Sequence, residues 1–401
     1  MRSFFFFFFW FLWIGGANVI PQTYFLAVAP EYKEQLVTLL LMLGSLASIA
    51  GIVWETKLGK YISLQAALYV GFPLVVISFG LLFSGLSVVL YFGFYLCFRF
   101  LSCALYQKLD AGICHHADIQ VSDNHAKHSM IFMLVAVCLA PVFFAFYQHG
   151  VVVSGVVILL AFAAAFYYRN IASVIGAGTG VLGAGITATS ANGAKANTKK
   201  LPLHLSDKYF LIYSGAYLAV VFLTSSLLVY FIRDFYGFKS PVKLGGLVML
   251  VISLAAVVSC LLYGRFRKSP FRDSGCVWVQ IIILAAMSVG VVLLYLKLVP
   301  SFMYVAASAS LMGISYGVFV VFTRSLVVHR ARDCGRTTLL AWYNMLPFIS
   351  SIAIFAAAGG LKLIIASSAY SYYWGIAAVL GVVGVIALIA LIAFNRNSEK
   401  Y

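Results

Sequence analysis

Apolar residues run in long blocks along this chain, and the polar residues gather in the gaps between them. Twelve blocks stand out, at 4–22, 35–54, 63–83, 86–107, 130–147, 151–168, 209–231, 244–263, 277–297, 301–323, 338–359 and 372–394. A helix needs about 20 apolar residues to cross a hydrocarbon core about 30 Å thick. The blocks are of that order, so the pattern predicts an all-α integral membrane protein of about twelve transmembrane helices.

Composition supports this and excludes a soluble domain. The chain is 63% hydrophobic and 9% charged, with a mean hydropathy of +1.02. A water-exposed surface needs far more charge than that.

The basic residues set the orientation. Of the 27 Lys and Arg, twenty fall in alternate gaps together with the N-terminus, six in the other gaps, and Arg99 lies within a block. Positive charge marks the cytoplasmic side, which predicts cytoplasmic N- and C-termini and an even number of crossings, in a plasma or inner membrane. The net charge of +16 is then mainly a topology signal with some attraction to anionic headgroups. Basic residues scattered over many short loops do not form a nucleic-acid face. The first block opens Arg2 and six Phe and runs to Gly15-Gly16-Ala17, so a signal peptide is the competing reading there. Asn18 and Pro21 in its Gly-rich tail favour a retained helix, and cleavage would leave eleven spans.

Several chemical readings are weak. Seven cysteines, an odd number with no CxxC pair, read as small buried or reduced thiols. Cys114, His115, His116, His125 and His128 cluster in sequence, but their spacing fits no standard zinc site, so no metal and no cofactor are expected. Residues 169–208 are rich in Gly, Ala, Thr, Ser and Asn and then turn basic, as a flexible cytoplasmic linker does. Gly176, Gly178, Gly180 and Gly183 follow no strand, so they make no dinucleotide fingerprint. Serine-hydrolase, zinc-protease and Walker motifs are missing from the sequence, and an enzyme is not expected.

The linker divides the chain into an N-terminal six-helix bundle, 1–168, and a C-terminal six-helix bundle, 209–401. The halves echo each other. Lys57, Gly59 and Lys60 follow the second block as Gly264, Arg265, Arg267 and Lys268 follow the eighth. His125, Lys127 and His128 precede the fifth as Arg332 and Arg336 precede the eleventh. Both pairs of gaps lie about 209 residues apart, as expected for two parallel halves.

Here the chain resembles the major facilitator superfamily. That family carries a G-x-x-x-D-R-x-G-R-R loop after span two, and Lys57, Gly59 and Lys60 fit it. Thr56 replaces the acidic residue, and Glu55 stands one place early. The family often has an Arg in the middle of span four, where Arg99 lies. The resemblance implies a two-bundle carrier with a loop that gates the cytoplasmic side, for which Glu55, Lys57, Gly59, Lys60 and Asp110 are the candidates. A second resemblance is to equilibrative nucleoside transporters. Their span-one motif L-G-x-G-x-L-L-P-W-N-x-F is similar to Ile14–Phe25, with Gln22 and Thr23 in place of Trp-Asn. Gln107 and Gly112 match their span-four pair, and Ser315-Tyr316-Gly317 looks like their Ser-Asn-Gly. Their Asp-x-x-x-Arg of span eight is not reproduced, and a twelfth span is one more than they have.

The polar residues inside the blocks bear on the solute. An intramembrane charge is a functional hypothesis by default. Arg99 reads either as a guanidinium that recognises an anionic or carbonyl-bearing solute or as a structural Arg tied to carbonyls between spans. Lys108 and Asp110 read as a gate or as two solvated residues at a helix end. No Asp or Glu sits deep in a block, which favours facilitated diffusion over proton coupling. Asn18, Gln22, Gln107, Tyr316, Tyr343 and Asn344 are the candidate substrate-binding residues beside Arg99: amides read polar edges and rings stack on planar faces. Pro347 is expected to break the helix beside Trp342-Tyr343-Asn344. The resulting expectation is a secondary transporter of a small polar organic solute, a nucleoside or nucleobase by the second resemblance. The alternatives are a carrier of another metabolite, drug or siderophore, and a non-transporting receptor or scaffold. The expected partners are the small-molecule solute and the lipid bilayer.

Overall fold

The computed structural model describes residues 33–59, 62, 66–82, 87–116, 204–236, 241–266, 274–296, 302–333, 337–365 and 369–398. These residues form α1 (Lys33–Lys57), a π-helical turn (Ala67–Gly71) leading into α2 (Phe72–Leu81), α3 (Val88–His116), α4 (Leu205–Tyr236), α5 (Pro241–Phe266), α6 (Ser274–Leu296), α7 (Phe302–Asp333), α8 (Thr337–Ile365) and α9 (Ala369–Ser398). They include no strand. The first, fifth and sixth blocks, with Asn18, Gln22, Lys60 and most of the linker, lie outside the described residues.

Six described segments are long and apolar enough to cross a membrane: Leu36–Lys57, Val88–Lys108, Trp278–Leu296, Met303–Arg324, Leu339–Leu361 and Ser371–Asn397. The fold is all-α, as the hydropathy pattern requires. Large apolar side chains such as Val89, Ile282, Met303 and Ile389 point outward. In water they would be a liability; against lipid they are the normal outer face of a span.

Two blocks differ from expectation in their details. The third starts in a π turn, so its helix proper is short. Pro73 sits in the first turn of α2, where its missing N–H costs nothing. The eleventh stays helical through Pro347, and Pro347 does not break it. Proline is tolerated in a membrane helix, and one turn later the Ser351 hydroxyl donates to the Pro347 carbonyl at 2.7 Å.

Close pairs form where glycine lets backbones meet. α1 packs along α3, and α5 along α7. A Cβ at Gly51 would fall on the Phe100 carbonyl of α3, and one at Gly313 on the Ile252 carbonyl of α5. Small residues at such crossings are the usual means of bringing membrane helices together. α4 lies along α9 and also against α8, which in turn packs on α1. α8 is thus the main element through which the later helices meet the earlier ones, with α7 touching α3 beside it.

Candidate functional site

Three successive residues of α8 go three different ways, because each helical residue turns about 100° from the last. Trp342 is 46% exposed and faces outward. Tyr343 turns into the later helices, where its hydroxyl lies 2.8 Å from Thr323 Oγ1 and its ring stacks on Phe210. Asn344 turns toward α3 and donates its amide N–H to Gln107 Oε1 at 2.8 Å. Asn344 and Gln107, 237 residues apart, are both buried. The bond satisfies one amide group on each side, and it ties the two parts of the chain together.

Along α3 the contacts with α8 repeat every four residues. Gln107 meets Asn344. Cys103 joins Phe348 and Ile52 of α1 in a small apolar cluster, with Ile49 and Met345 packed against it. One turn further, the Arg99 guanidinium lies over the Phe348 ring, its carbon 5.2 Å from the centroid. Residues 99, 103 and 107 share one helix face. From Arg99 to Gln107 the seam runs about 12 Å at the helical rise of about 1.5 Å per residue. It is shut by one amide pair, one apolar cluster and one cation–π contact.

Just beyond Gln107 sits an ion pair. Lys108 Nζ is 2.9 Å from Glu55 Oε1 and donates also to the Gly59 carbonyl. The pair is part-buried, so the reading of Lys108 as a solvated helix end is corrected: its ammonium is held by Glu55 on the adjoining helix. Glu55, on the last turn of α1, is thus the acid that pairs with Lys108, and Thr56 is exposed, bonded to the Val53 carbonyl. A Cβ at Gly59 would meet the Glu55 carboxylate, which explains glycine at that position. Lys57 is exposed. Asp110 lies on the last turns of α3.

The later helices hold a separate polar and aromatic interior. Tyr213 donates to Gln280 Oε1 at 3.1 Å, and Tyr217 to Ser315 Oγ at 2.9 Å. The Tyr217 and Phe319 rings stack with centroids 3.9 Å apart. At the far end Tyr295 and Tyr373 stack, Phe231 packs edge-on to both, and Tyr373 donates to Asp234. Tyr316 is partly buried against this core. Of the substrate candidates, then, Arg99, Gln107 and Asn344 come together at the seam, while Tyr316 and Tyr343 belong to the interior of the later helices.

Two buried charges escape a reading by hydropathy blocks. Arg324 counts as a loop residue in the sequence, but α7 runs on to Asp333 and leaves Arg324 at 7% exposure. Asp207 falls in the expected linker, but α4 begins at Leu205 and Asp207 is wholly buried. In both cases the helix outruns its apolar block by a turn or more. Among the described residues no cluster of His, Cys, Asp and Glu could hold a metal, and Cys97, Cys103 and Cys260 are free thiols.

No family model and no curated protein matches the chain in sequence. Solved structures do match in fold. The human organic anion transporter MFSD10 (TETRAN) superposes with a TM-score of 0.64 at 12% identity, over 98% of this chain and 96% of that one. The peptide transporter POT in complex with sulfate gives 0.64 at 14% identity, over 98% and 94%. The nucleoside transporter NupG gives 0.65 at 14% identity, over 98% of both chains. The chain thus shares the fold of these solved transporters, with several helices long and apolar enough to cross a membrane.

Proposed function

We propose that this chain, with its major-facilitator fold, is a secondary transporter that moves a small polar organic solute by alternating access. Its two six-helix halves, 1–168 and 209–401, are joined by the linker 169–208. The observation that carries this reading is the seam between α3 and α8. Its polar contacts are an amide pair and a guanidinium over a ring, running from mid-span to one end of α3, an arrangement suited to a gate. The charge distribution assigns the Lys108 end of the seam to the cytoplasm, so the state described is shut toward the inside.

Solute binding falls near the midplane between the halves, above the Gln107–Asn344 pair. Nucleosides and nucleobases are the first solutes to test, on the strength of the span-one motif. The shared fold supports that class no more than peptides or organic anions, since all three kinds of carrier have it. The proposed activity makes and breaks no covalent bond in the solute. Facilitated diffusion is favoured by the lack of an Asp or Glu deep in an apolar block; Asp207 is buried, but in the first turn of α4.

The test is uptake of radiolabelled uridine, adenosine and hypoxanthine into proteoliposomes, with and without an imposed pH gradient. Saturable uptake of any of the three supports the carrier reading with that solute class, and its dependence on the gradient decides coupling. Absence of uptake for all three removes the nucleoside class.

A further inference from the structure

A groove of about 500 Å³ runs between α6 and α9. Val292 and Leu296 of α6 form one wall, and α9 supplies the rest from Trp374 to Ile386. Ala378 and Gly381 lie on the same face of α9 as Trp374, at helical spacing, and their lack of bulk makes the hollow. Every side chain that lines it is apolar or aromatic, so a polar solute finds no partner there. Both helices carry apolar spans, Trp278–Leu296 and Ser371–Asn397, and Trp374 is exposed. In a membrane the groove therefore opens onto lipid. It begins close to one end of the α9 span and stops near its middle. From Trp374 to Ile386 the distance is about 18 Å at the helical rise, against about 15 Å for half of a hydrocarbon core. Trp374 stands at the level of the headgroups, where tryptophan is enriched, and the charge distribution makes that level the outer one.

We infer that the groove is a lipid site, and that it holds one acyl chain of an outer-leaflet phospholipid. Its length is that of one leaflet. Spread over that length, its volume gives a cross-section of about 30 Å², which suits a single hydrocarbon chain and is narrow for the fused rings of a sterol. A helix from a second copy does not fit. Such a helix needs a face that runs the full span, whereas the groove stops short of Ile389 and Ile392, which stand outward. Its nine lining residues also fall far short of the roughly 20–30 a side in a stable interface. Lipid tails touch every span, but a chain in this groove touches α6 and α9 together. It gains dispersion contacts on several sides that a chain on a convex face lacks. The site does not depend on the carrier reading, since neither the seam nor the solute takes part in it.

The experiment photo-cross-links the purified full-length protein in phosphatidylcholine nanodiscs that contain a trace of the same lipid with a diazirine in one acyl chain. A parallel sample carries a diazirine-bearing sterol instead, and adducts are mapped by peptide mass spectrometry. The expected result is phospholipid labelling of residues 374–386 above that of Ile389 and Ile392 by about three- to tenfold, a preference of about 1 kcal/mol. Ala378→Leu fills the groove from an exposed position and brings the ratio to about one, with the melting temperature unchanged. Gly381→Ala is the gentler variant, since a Cβ there would stand 3.6 Å from Val292 Cγ2, an ordinary contact; it lowers the ratio in part. Should Ala378→Leu fail to fold, the wild-type ratio and Gly381→Ala decide. Even labelling of the groove and of Ile389 and Ile392, or a ratio that ignores both variants, overturns the inference. So does labelling of the groove by the sterol in preference to the phospholipid. Disulfide-linked dimers through Ala378→Cys would place a second copy there and overturn it likewise.

Discussion

The contacts within the later helices and the contacts across the seam are built from different materials. Inside the later helices, buried rings stack and interlock: Tyr217 on Phe319, Tyr295 on Tyr373, Phe231 edge-on to both. Tyrosine hydroxyls then bond to partners on other helices, Tyr213 to Gln280, Tyr217 to Ser315 and Tyr295 to the Thr224 carbonyl. Across the seam, α3 and α8 share an amide pair, an arginine on a ring and a few apolar side chains. The first arrangement makes α4, α6, α7 and α9 move as one body. The second holds α3 to α8 through fewer interlocking rings, and we propose that it is the join that opens. The contrast supports the proposal that the later helices stay together and the seam opens.

The largest effects should come from breaking the rigid side. Phe231→Ala removes a wholly buried ring that touches two tyrosines, and truncating a buried Phe costs about 3–5 kcal/mol. A loss of that size should show as a large fall in melting temperature, with no preference for one gate state. Tyr217→Ala should behave alike.

The seam should respond differently. Asn344→Leu leaves a buried Gln107 amide without its partner, at about 1–3 kcal/mol. That cost falls on the shut state alone, so the protein should shift toward the open one with little change in melting temperature. Adding Gln107→Leu makes both positions apolar and should largely restore closure. Accessibility of Cys103 to a membrane-impermeant thiol reagent would follow both changes, rising in the single variant and falling back in the double. If Asn344→Leu instead lowers stability as much as Phe231→Ala, the seam is part of the rigid core.

Smaller still is the ion pair. Glu55→Gln keeps an acceptor for Lys108 and loses the charge, an effect of about 1 kcal/mol for a pair near the surface. Gly59→Ala should produce a similar change by pushing the Glu55 carboxylate aside. Lys57→Ala, at an exposed position, should leave melting temperature and gate state unchanged, and serves as the control.

Much of the fold was legible in the sequence, because burial in lipid forces helices of known length and apolar composition. Arg99, Gln107 and Asn344 were each legible as polar residues in apolar surroundings. Their convergence was not. Which way a residue faces depends on the rotation of its helix, and a span that is apolar all round gives no stripe from which to read it. Trp342, Tyr343 and Asn344 make the point, adjacent in sequence and divergent in space. Arg324 and Asp207 were missed because hydropathy marks where apolar residues stop, and these helices continue beyond that point. Glu55 was visible as an acid one place early, and its contact with Lys108 across the helices was not.

The central claim is that the α3–α8 seam opens as a unit. It is tested most directly by electron–electron distance measurements in nanodiscs between spin labels at Lys57→Cys and Trp342→Cys, two exposed positions on α1 and α8, in a background without other cysteines. The prediction is two distance populations, with Asn344→Leu moving weight to the longer one and the Gln107→Leu, Asn344→Leu pair moving it back. A single narrow distance that ignores both changes would contradict the account, since the seam would then be a fixed join between helices.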